Sequence, residues 1–540
     1  MKAIKNTGLV VFLIGLTLFT ASIFTGSFSI TSSELDTFIQ SQGIKSEVFK
    51  EELTQSIVTE KELGVFEFAN HVRGAVKASN DHYYGLIEKY NSEKKWDEKG
   101  KQYQYLIHKK PATLSYELTK KAGTGYIKEN PGLVWRLTFG LGIMGALLFI
   151  LPNVILLGKP GIKNNGIYFE SATNRGWIAW LVLIYLVVFY LLLYFNPDYV
   201  VNWTYILDPV SRALNGGDAS QWFVYGFLYC VIMIVMGVRM YIKYRHNKYQ
   251  VIRTTSVLFF QIVFAFLIPE IMASLNMPGY DFKNAFPLDY DFFFEWNLET
   301  LTSSGRIGLF ILVWGIILTV IIVPVMVYFF GKRWYCSWVC GCGGLAETLG
   351  DPYRQHSDKS LKAWKLERWL IHSVLVFSLV MTVVTVYCYL AGVKSFIGID
   401  SQWIKDAYSF LIGAWFAGVI GTGFYPIFGN RVWCRFGCPL AAYLGLVQRF
   451  KSRFRITTNG GQCISCGNCS TYCEQGIDVR AYAQKGENIV RSSCVGCGIC
   501  SAVCPRGVLK LENGPEAGRI NPTDVLLGND VDLMKFVNKM

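Results

Sequence analysis

The chain has 540 residues, of which 52% are hydrophobic, 15% aromatic and 17% charged, a composition that points to a membrane protein rather than a soluble enzyme. The formal charge of +13 is no sign of a nucleic-acid partner, because the basic residues sit beside apolar runs, where membrane topology calls for them. The fifteen cysteines exclude little by number alone, but most fall into metal-type spacings, and no Cys-x-x-Cys-His is present to attach a c-type haem.

The first residues are short and basic (Lys2, Lys5), and an uncharged run follows from Thr7 to Ser33. It reads as a signal peptide or as an uncleaved anchor over residues 1–30. Its length and the lack of a small-x-small cleavage site favour the anchor. Residues 31–133 form a Lys- and Glu-rich segment expected to be an extracytoplasmic, mostly helical domain, with amphipathic stretches at Glu51–Phe68 and His82–Tyr90. No flavin, haem or metal signature stands out in it, and His71, His82 and His108 are too scattered to act as a ligand set.

Seven further apolar runs, at 134–158, 177–195, 222–242, 255–274, 307–330, 371–391 and 408–428, are each long enough to cross a bilayer. The loop after the fourth span carries Lys243, Arg245, Lys248 and Arg253, and residues 331–370 hold seven Lys or Arg against four acids. By contrast, residues 275–306 hold five acids and two bases. Basic loops inside and acidic loops outside alternate without conflict. Eight spans would then put both termini in the cytoplasm of a bacterial inner-membrane protein.

An internal repeat follows the sixth and eighth spans. One copy reads Phe330-Gly-Lys-Arg-Trp-Tyr-Cys336-Ser-Trp-Val-Cys340, the other Phe428-Gly-Asn-Arg-Val-Trp-Cys434-Arg-Phe-Gly-Cys438-Pro439. On a helix, cysteines at i and i+4 share one face. Two such pairs at the mouth of a helix bundle would gather four thiolates, Cys336, Cys340, Cys434 and Cys438, around a third metal centre. The competing reading is a pair of reducible thiols or close-packed small residues. Gly341 stands where the second copy has Pro439, and Cys342 adds a spare thiol. Arg333, Arg431 and Arg435 would stabilise thiolates or serve as positive flanks of a span. Cys230 and Cys388, in apolar company within spans, read as structural.

Residues 459–510 carry the strongest signal. Cys463-x2-Cys466-x2-Cys469-x3-Cys473 and Cys494-x2-Cys497-x2-Cys500-x3-Cys504-Pro505 have the spacing that wraps two [4Fe–4S] clusters, with the fourth cysteine of each run ligating the other run's cluster. That pairing assigns Cys463, Cys466, Cys469 and Cys504 to one cluster, and Cys494, Cys497, Cys500 and Cys473 to the other. Zinc sites usually come as separated cysteine pairs. Glu474 follows Cys473 where a proline is usual. The residues from 511 onward form a tail with an acidic stretch at Asp524–Asp532 that either docks a partner or caps the ferredoxin module.

The expected fold is therefore an α-helical polytopic membrane protein of about eight transmembrane helices, with a C-terminal α+β bacterial-ferredoxin-like dicluster domain. From about residue 300 to 510 the chain resembles the NapH/NosR-type membrane-bound polyferredoxins, on its spans, its two Cys-x3-Cys repeats and its dicluster tail. The resemblance implies electron transfer between the quinone pool or a cytoplasmic donor and a redox enzyme outside the membrane. It carries the cluster-ligand role to the eight ferredoxin cysteines and matches the two pairs to the family's repeat, less one proline. NosR-like members have an external flavin domain with a threonine attachment site. Nothing in residues 31–133 matches it, so no covalent flavin is expected, and NapH-like members lack so large an external segment.

A b-type haem would need facing histidines within the spans. Only His372 lies near one, while His246 and His356 fall in loops, so haem is not expected and quinone is the simpler carrier. Glu270, within an apolar run, is a candidate proton acceptor for quinol or a residue already at headgroup depth. An accessory role in metalloenzyme maturation and a redox sensor are the competing functions.

Overall fold

The computed structural model describes residues 2–42, 44, 46–57, 62–92, 111–156 and 173–513. His108 and the tail with Asp524–Asp532 lie outside the described residues. Among the described residues, seven helices are long and apolar enough to cross a membrane: Lys2–Phe24, Pro131–Leu156, Trp177–Phe195, Gln221–Tyr244, Lys248–Ser274, Gly305–Phe330 and Leu361–Ala391. The chain is a multi-pass membrane protein. The eighth expected run, 408–428, is helical too, through Ser401–Tyr408, a π-helical stretch at Ser409–Ile420 and a short turn at Gly421–Gly423. Glycines sit in it where neighbours press in: a Cβ on Gly413 would meet the Tyr290 hydroxyl at 2.8 Å, and one on Gly421 the Trp433 Cβ at 3.0 Å.

The described chain divides into two compact units. The first comprises the residues up to Phe149 together with Leu191–Leu228. In it the first two spans cross at glycines, since a Cβ on Gly145 would lie 2.2 Å from the Phe12 backbone nitrogen; such small residues let membrane helices approach closely. Outside the spans are the helices Ser32–Ser41, Glu47–Ile57, Val65–Ser92 and Pro111–Ala122. The first begins in a capping box, in which Thr31 accepts from the Glu34 backbone and the Glu34 side chain accepts from that of Thr31. Such reciprocal bonds satisfy amides that a helix start leaves free. The expected stretch Glu51–Phe68 is not one helix: one ends at Ile57 and the next begins at Val65.

This domain is not complete in residues 31–133. The helix Val201–Asn215, in the connection after the third span, supplies Trp203, Tyr205, Ile206 and Leu207 to its core. Fully buried Asp198 accepts from Arg73 (2.5 and 2.6 Å) and from Ser115 (2.7 Å). Asn202 donates to the carbonyls of Ser22, Ile23 and Thr25. A buried carboxylate persists only with such partners.

The second unit comprises Ile150–Tyr190 and the chain from Tyr229 onward. The long helix Leu361–Ala391 starts at a Ser360 cap, whose side chain accepts from Ala363, and ends at left-handed Gly392, the usual stop. The ferredoxin-like region closes on an antiparallel pair, Arg455–Thr458 with Leu509–Glu512, in the register Ile456–Leu511. Short helices Asn468–Thr471 and Ile499–Ala502 each begin after a left-handed glycine, Gly467 and Gly498.

Candidate metal centres

Each ferredoxin cysteine run starts with a loop that no extended or helical chain would give. Ser465 and Gly467 flank Cys466 with φ of 57° and 79°, and Gly496 and Gly498 flank Cys497 with 59° and 72°. Positive φ on both sides turns the backbone around a point, which is what small residues permit there. Cys463, Cys466, Cys469 and Cys504 line a single cavity with Arg480, Pro505 and Leu509. Cys494, Cys500 and Cys473 form the neighbouring set, close enough for their charges to interact, and Cys473 Sγ accepts from the Ile477 amide at 3.4 Å. Cys497, assigned to this set by spacing, has its sulfur beside the Glu347 and Glu474 carboxylates. Soft thiols grouped in this way, with backbone amides aimed at sulfur, suit iron–sulfur clusters.

The two sets meet different surroundings. Cys466 is exposed and Cys463 half-buried, whereas Cys494 and Cys500 are buried. The loop of the second set is bonded to the helix bundle: Tyr249 donates to the Gly496 carbonyl (2.9 Å), Gln250 to Cys497 (2.8 Å), Ser337 to Val495 (2.7 Å) and Gln448 to Cys494 (2.9 Å).

Cys336, Cys340, Cys434 and Cys438 are all buried and converge in one cluster, with Cys342 packed against them. The pairs do not ride on continuous helices, as i, i+4 spacing suggested. Cys336 ends the short helix Arg333–Cys336 and Cys340 caps the next, Gly341–Thr348. Cys434 lies in a π turn at Trp433–Gly437 and Cys438 caps Pro439–Lys451. Pro439 explains the break, since it cannot donate into a preceding turn. The Cys438 sulfur, as cap, accepts from the Ala441 amide at 3.3 Å. Leu318 and Val323, well inside the sixth span, belong to the same buried cluster as the thiols. Three π-helical stretches, Phe260–Leu267, Leu318–Ile322 and Ser409–Ile420, supply residues to this cluster; such widened turns recur at functional sites.

Between these thiols and the second ferredoxin set lies a buried ionic network that the sequence did not reveal. Arg354 pairs with Glu347, with Asp351 (2.7 Å) and with Glu474 (2.5 Å). Arg431 pairs with Glu347 (2.6 Å) and Glu474 (2.9 Å). Arg253 holds Glu347 at 2.7 Å, and Lys243 (2.7 Å) and Arg239 hold Asp351. Burial alone would raise the Glu347 carboxyl, but Arg253, Arg354 and Arg431 hold it well below the usual range. Asp351, also buried, is held well below it by Lys243, Arg239 and Arg354. The unusual Glu474 is thus the ferredoxin region's contribution to the network. Its five cations face three carboxylates. A buried positive excess needs a negative neighbour, and a cubane held by four thiolates is an anion.

Of the three arginines singled out in the sequence, Arg431 reaches a sulfur, Cys434 Sγ at 3.7 Å. Arg435 instead pairs with Glu367 at 2.7 Å, and Arg333 stacks over Phe454, Trp338 and Tyr249. The described histidines are not brought together: His372 bonds the Arg368 carbonyl, His356 the Thr173 carbonyl and Arg175, and His246 approaches the Ala502 carbonyl. His71 and His82 lie on the helix Val65–Ser92. Glu270 is half-buried in Ile268–Ser274 at the end of the fifth span. Cys230 and Cys388 are buried apart from every cysteine set.

Comparison with known proteins agrees with this geometry. A 4Fe-4S dicluster domain matches residues 455–505, and a 4Fe-4S binding domain matches twice, at 311–360 and 411–457, over the two Cys-x3-Cys copies. The chain thus carries 4Fe-4S domains on a multi-pass membrane scaffold, and in this it is similar to membrane polyferredoxins. It is 27% identical over 156 residues to YccM of Escherichia coli (strain K12), assigned to electron transport, covering 27% of this chain and 43% of that protein. It is also 27% identical over 228 residues to the methylamine utilization ferredoxin-type protein MauN of Methylobacillus flagellatus, covering 40% of this chain and 72% of MauN. The chain thus spans less than half of YccM. No solved structure matches it.

Proposed function

We propose that the protein is a membrane electron conduit with three iron–sulfur centres, linking a cytoplasmic donor or the quinone pool to a redox enzyme on the other side. Cys463, Cys466, Cys469 and Cys504 hold the first cluster and Cys494, Cys497, Cys500 and Cys473 the second. Cys336, Cys340, Cys434 and Cys438 hold the third. Bound clusters supply one-electron chemistry; the chain supplies thiolates, spacing and field. The observation that carries the third centre is the convergence of four buried thiols beside a positive ionic excess.

The order follows from exposure. The first set, open at Cys466, meets a soluble partner, the second is bonded to the bundle, and the third lies inside it. For orientation, the ferredoxin region faces the cytoplasm and residues 31–133 face outward. Supporting this, the connection after the third span packs into the domain that follows the first span, so both connections share a side.

Iron and acid-labile sulfide in protein purified without oxygen test the reading. We expect about twelve irons per chain, falling to about eight in a Cys336→Ser/Cys434→Ser double variant. About eight in both would reduce the protein to a dicluster ferredoxin on a membrane anchor.

A further inference from the structure

The connection 275–304 joins the ends of the fifth and sixth spans that lie away from the Cys-x3-Cys pairs, since the first pair follows the opposite end of the sixth span at Phe330. It nevertheless reaches Tyr335, beside Cys336, and the buried cluster that holds the four thiols. Trp314 Nε1 donates to the Phe282 carbonyl at 2.8 Å, and the Phe292 ring lies 2.4 Å from where a Cβ on Gly315 would be. Those helix positions are about 15 Å along from Gly305, at 1.5 Å per residue. Deeper still, the Tyr335 hydroxyl donates to the Lys283 carbonyl (2.9 Å) and accepts from the Ala285 amide (3.2 Å). Ala285 is fully buried in the cluster that holds the four cysteines, and Leu288 packs against that cluster. Lys283, its side chain 7% exposed, pairs with Asp281 at 2.6 Å, and its carbonyl holds the hydroxyl of Tyr335, the residue next to Cys336.

The connection is therefore a re-entrant loop, and it meets the inward-folded Cys-x3-Cys segment from the other end of the bundle. Non-helical backbone at such depth persists only where protein buries it or it lines a cavity. An ammonium placed there is costly unless it has a task or a partner.

The geometry points to this loop as the electron-exchange contact of the third centre: electrons pass between Cys336/Cys340/Cys434/Cys438 and the loop side of the membrane through Tyr335 and the Lys283–Ala285 backbone. Lys283 is the positioning residue whose charge sets the centre's potential. The inference rests on the third-centre reading. The step is a bare one-electron transfer: the reduced centre is oxidised, a one-electron acceptor at the loop is reduced, and no bond or proton moves. It gives the conduit an exit that needs neither haem nor quinone.

The test uses the full chain in sealed vesicles with the ferredoxin region enclosed, judged by its protection from added protease, and ferricyanide outside as a membrane-impermeant oxidant. We expect external ferricyanide to oxidise the third centre without added quinone, and Tyr335→Leu to slow that oxidation at least tenfold. In potentiometric titration followed by electron paramagnetic resonance, Lys283→Met makes the third centre harder to reduce by about tenfold, 59 mV for a one-electron couple. Lys283→Arg restores it, while the two ferredoxin clusters and an iron count of about twelve stay unchanged. An unmoved potential in Lys283→Met at full iron, or oxidation that requires added quinone, overturns the inference. About eight irons in the unmodified protein overturns the third-centre reading beneath it instead.

Discussion

The first ferredoxin set and the bundle set use the same ligand type in opposite settings. Around Cys463, Cys466, Cys469 and Cys504 the chain is a surface loop, open at an exposed cysteine, beside two arginines, Arg480 and Arg506. Around Cys336, Cys340, Cys434 and Cys438 it is sealed by widened helices and flanked by a fully buried ionic network. An exposed centre exchanges readily with soluble partners and with oxygen, while a buried one exchanges only along paths the protein builds. Thiolate spacing marks where iron can sit; the surroundings decide what reaches it.

The largest effect expected from breaking this contrast is at Arg354, which faces three carboxylates at once. Arg354→Met leaves Glu347, Asp351 and Glu474 under-compensated, at a cost of about 3–5 kcal/mol. Thermal unfolding in detergent and protease release of the ferredoxin region would register it, and a loss below about 1 kcal/mol would show the network to be as weak as surface pairs. Next, brief exposure to air should strip iron from the surface set before the bundle set, with rates differing by about tenfold, equivalent to about 1.4 kcal/mol in barrier. Cluster-resolved paramagnetic resonance follows this, and simultaneous loss would mean that the two settings do not differ in access. The smallest effect concerns pH. Glu347 and Asp351 ionise at lower pH in the folded protein than in the unfolded chain. Their stabilisation is therefore complete above the unfolded carboxylate values, about 3.9–4.3, and is lost as pH falls through and below them. Unfolding temperature should stay level from about pH 8 to 5.5 and decline near pH 4; a decline beginning near pH 6.5 would implicate histidine instead.

Much of this was legible in the residues. Periodic cysteines, charge-free runs and the duplicated Phe-Gly…Cys-x3-Cys segment are local signals, written in consecutive positions. What escaped reading depends on residues far apart. Glu474 was visible as an odd substitution for proline, but its meaning needs Arg354 and Arg431, which lie 120 and 43 positions away. The re-entrant loop was masked by its five acids, which made 275–306 look like an ordinary outer connection. A better signal was the aromatic density of Phe282–Phe294, too apolar for a solvated loop. The cysteine pairs were read as helical because spacing alone cannot show a cap, although Pro439 marked one.

The burial of Asp198 against Arg73 and Ser115 also bears on how the molecule is made. The domain after the first span begins to emerge early, but its core lacks Trp203, Ile206 and Leu207 until two further spans have been threaded. During synthesis it must wait, partly assembled, for a helix supplied more than seventy residues after its own last one. A fragment cut at residue 133 would carry the sequence of a domain without the means to close it.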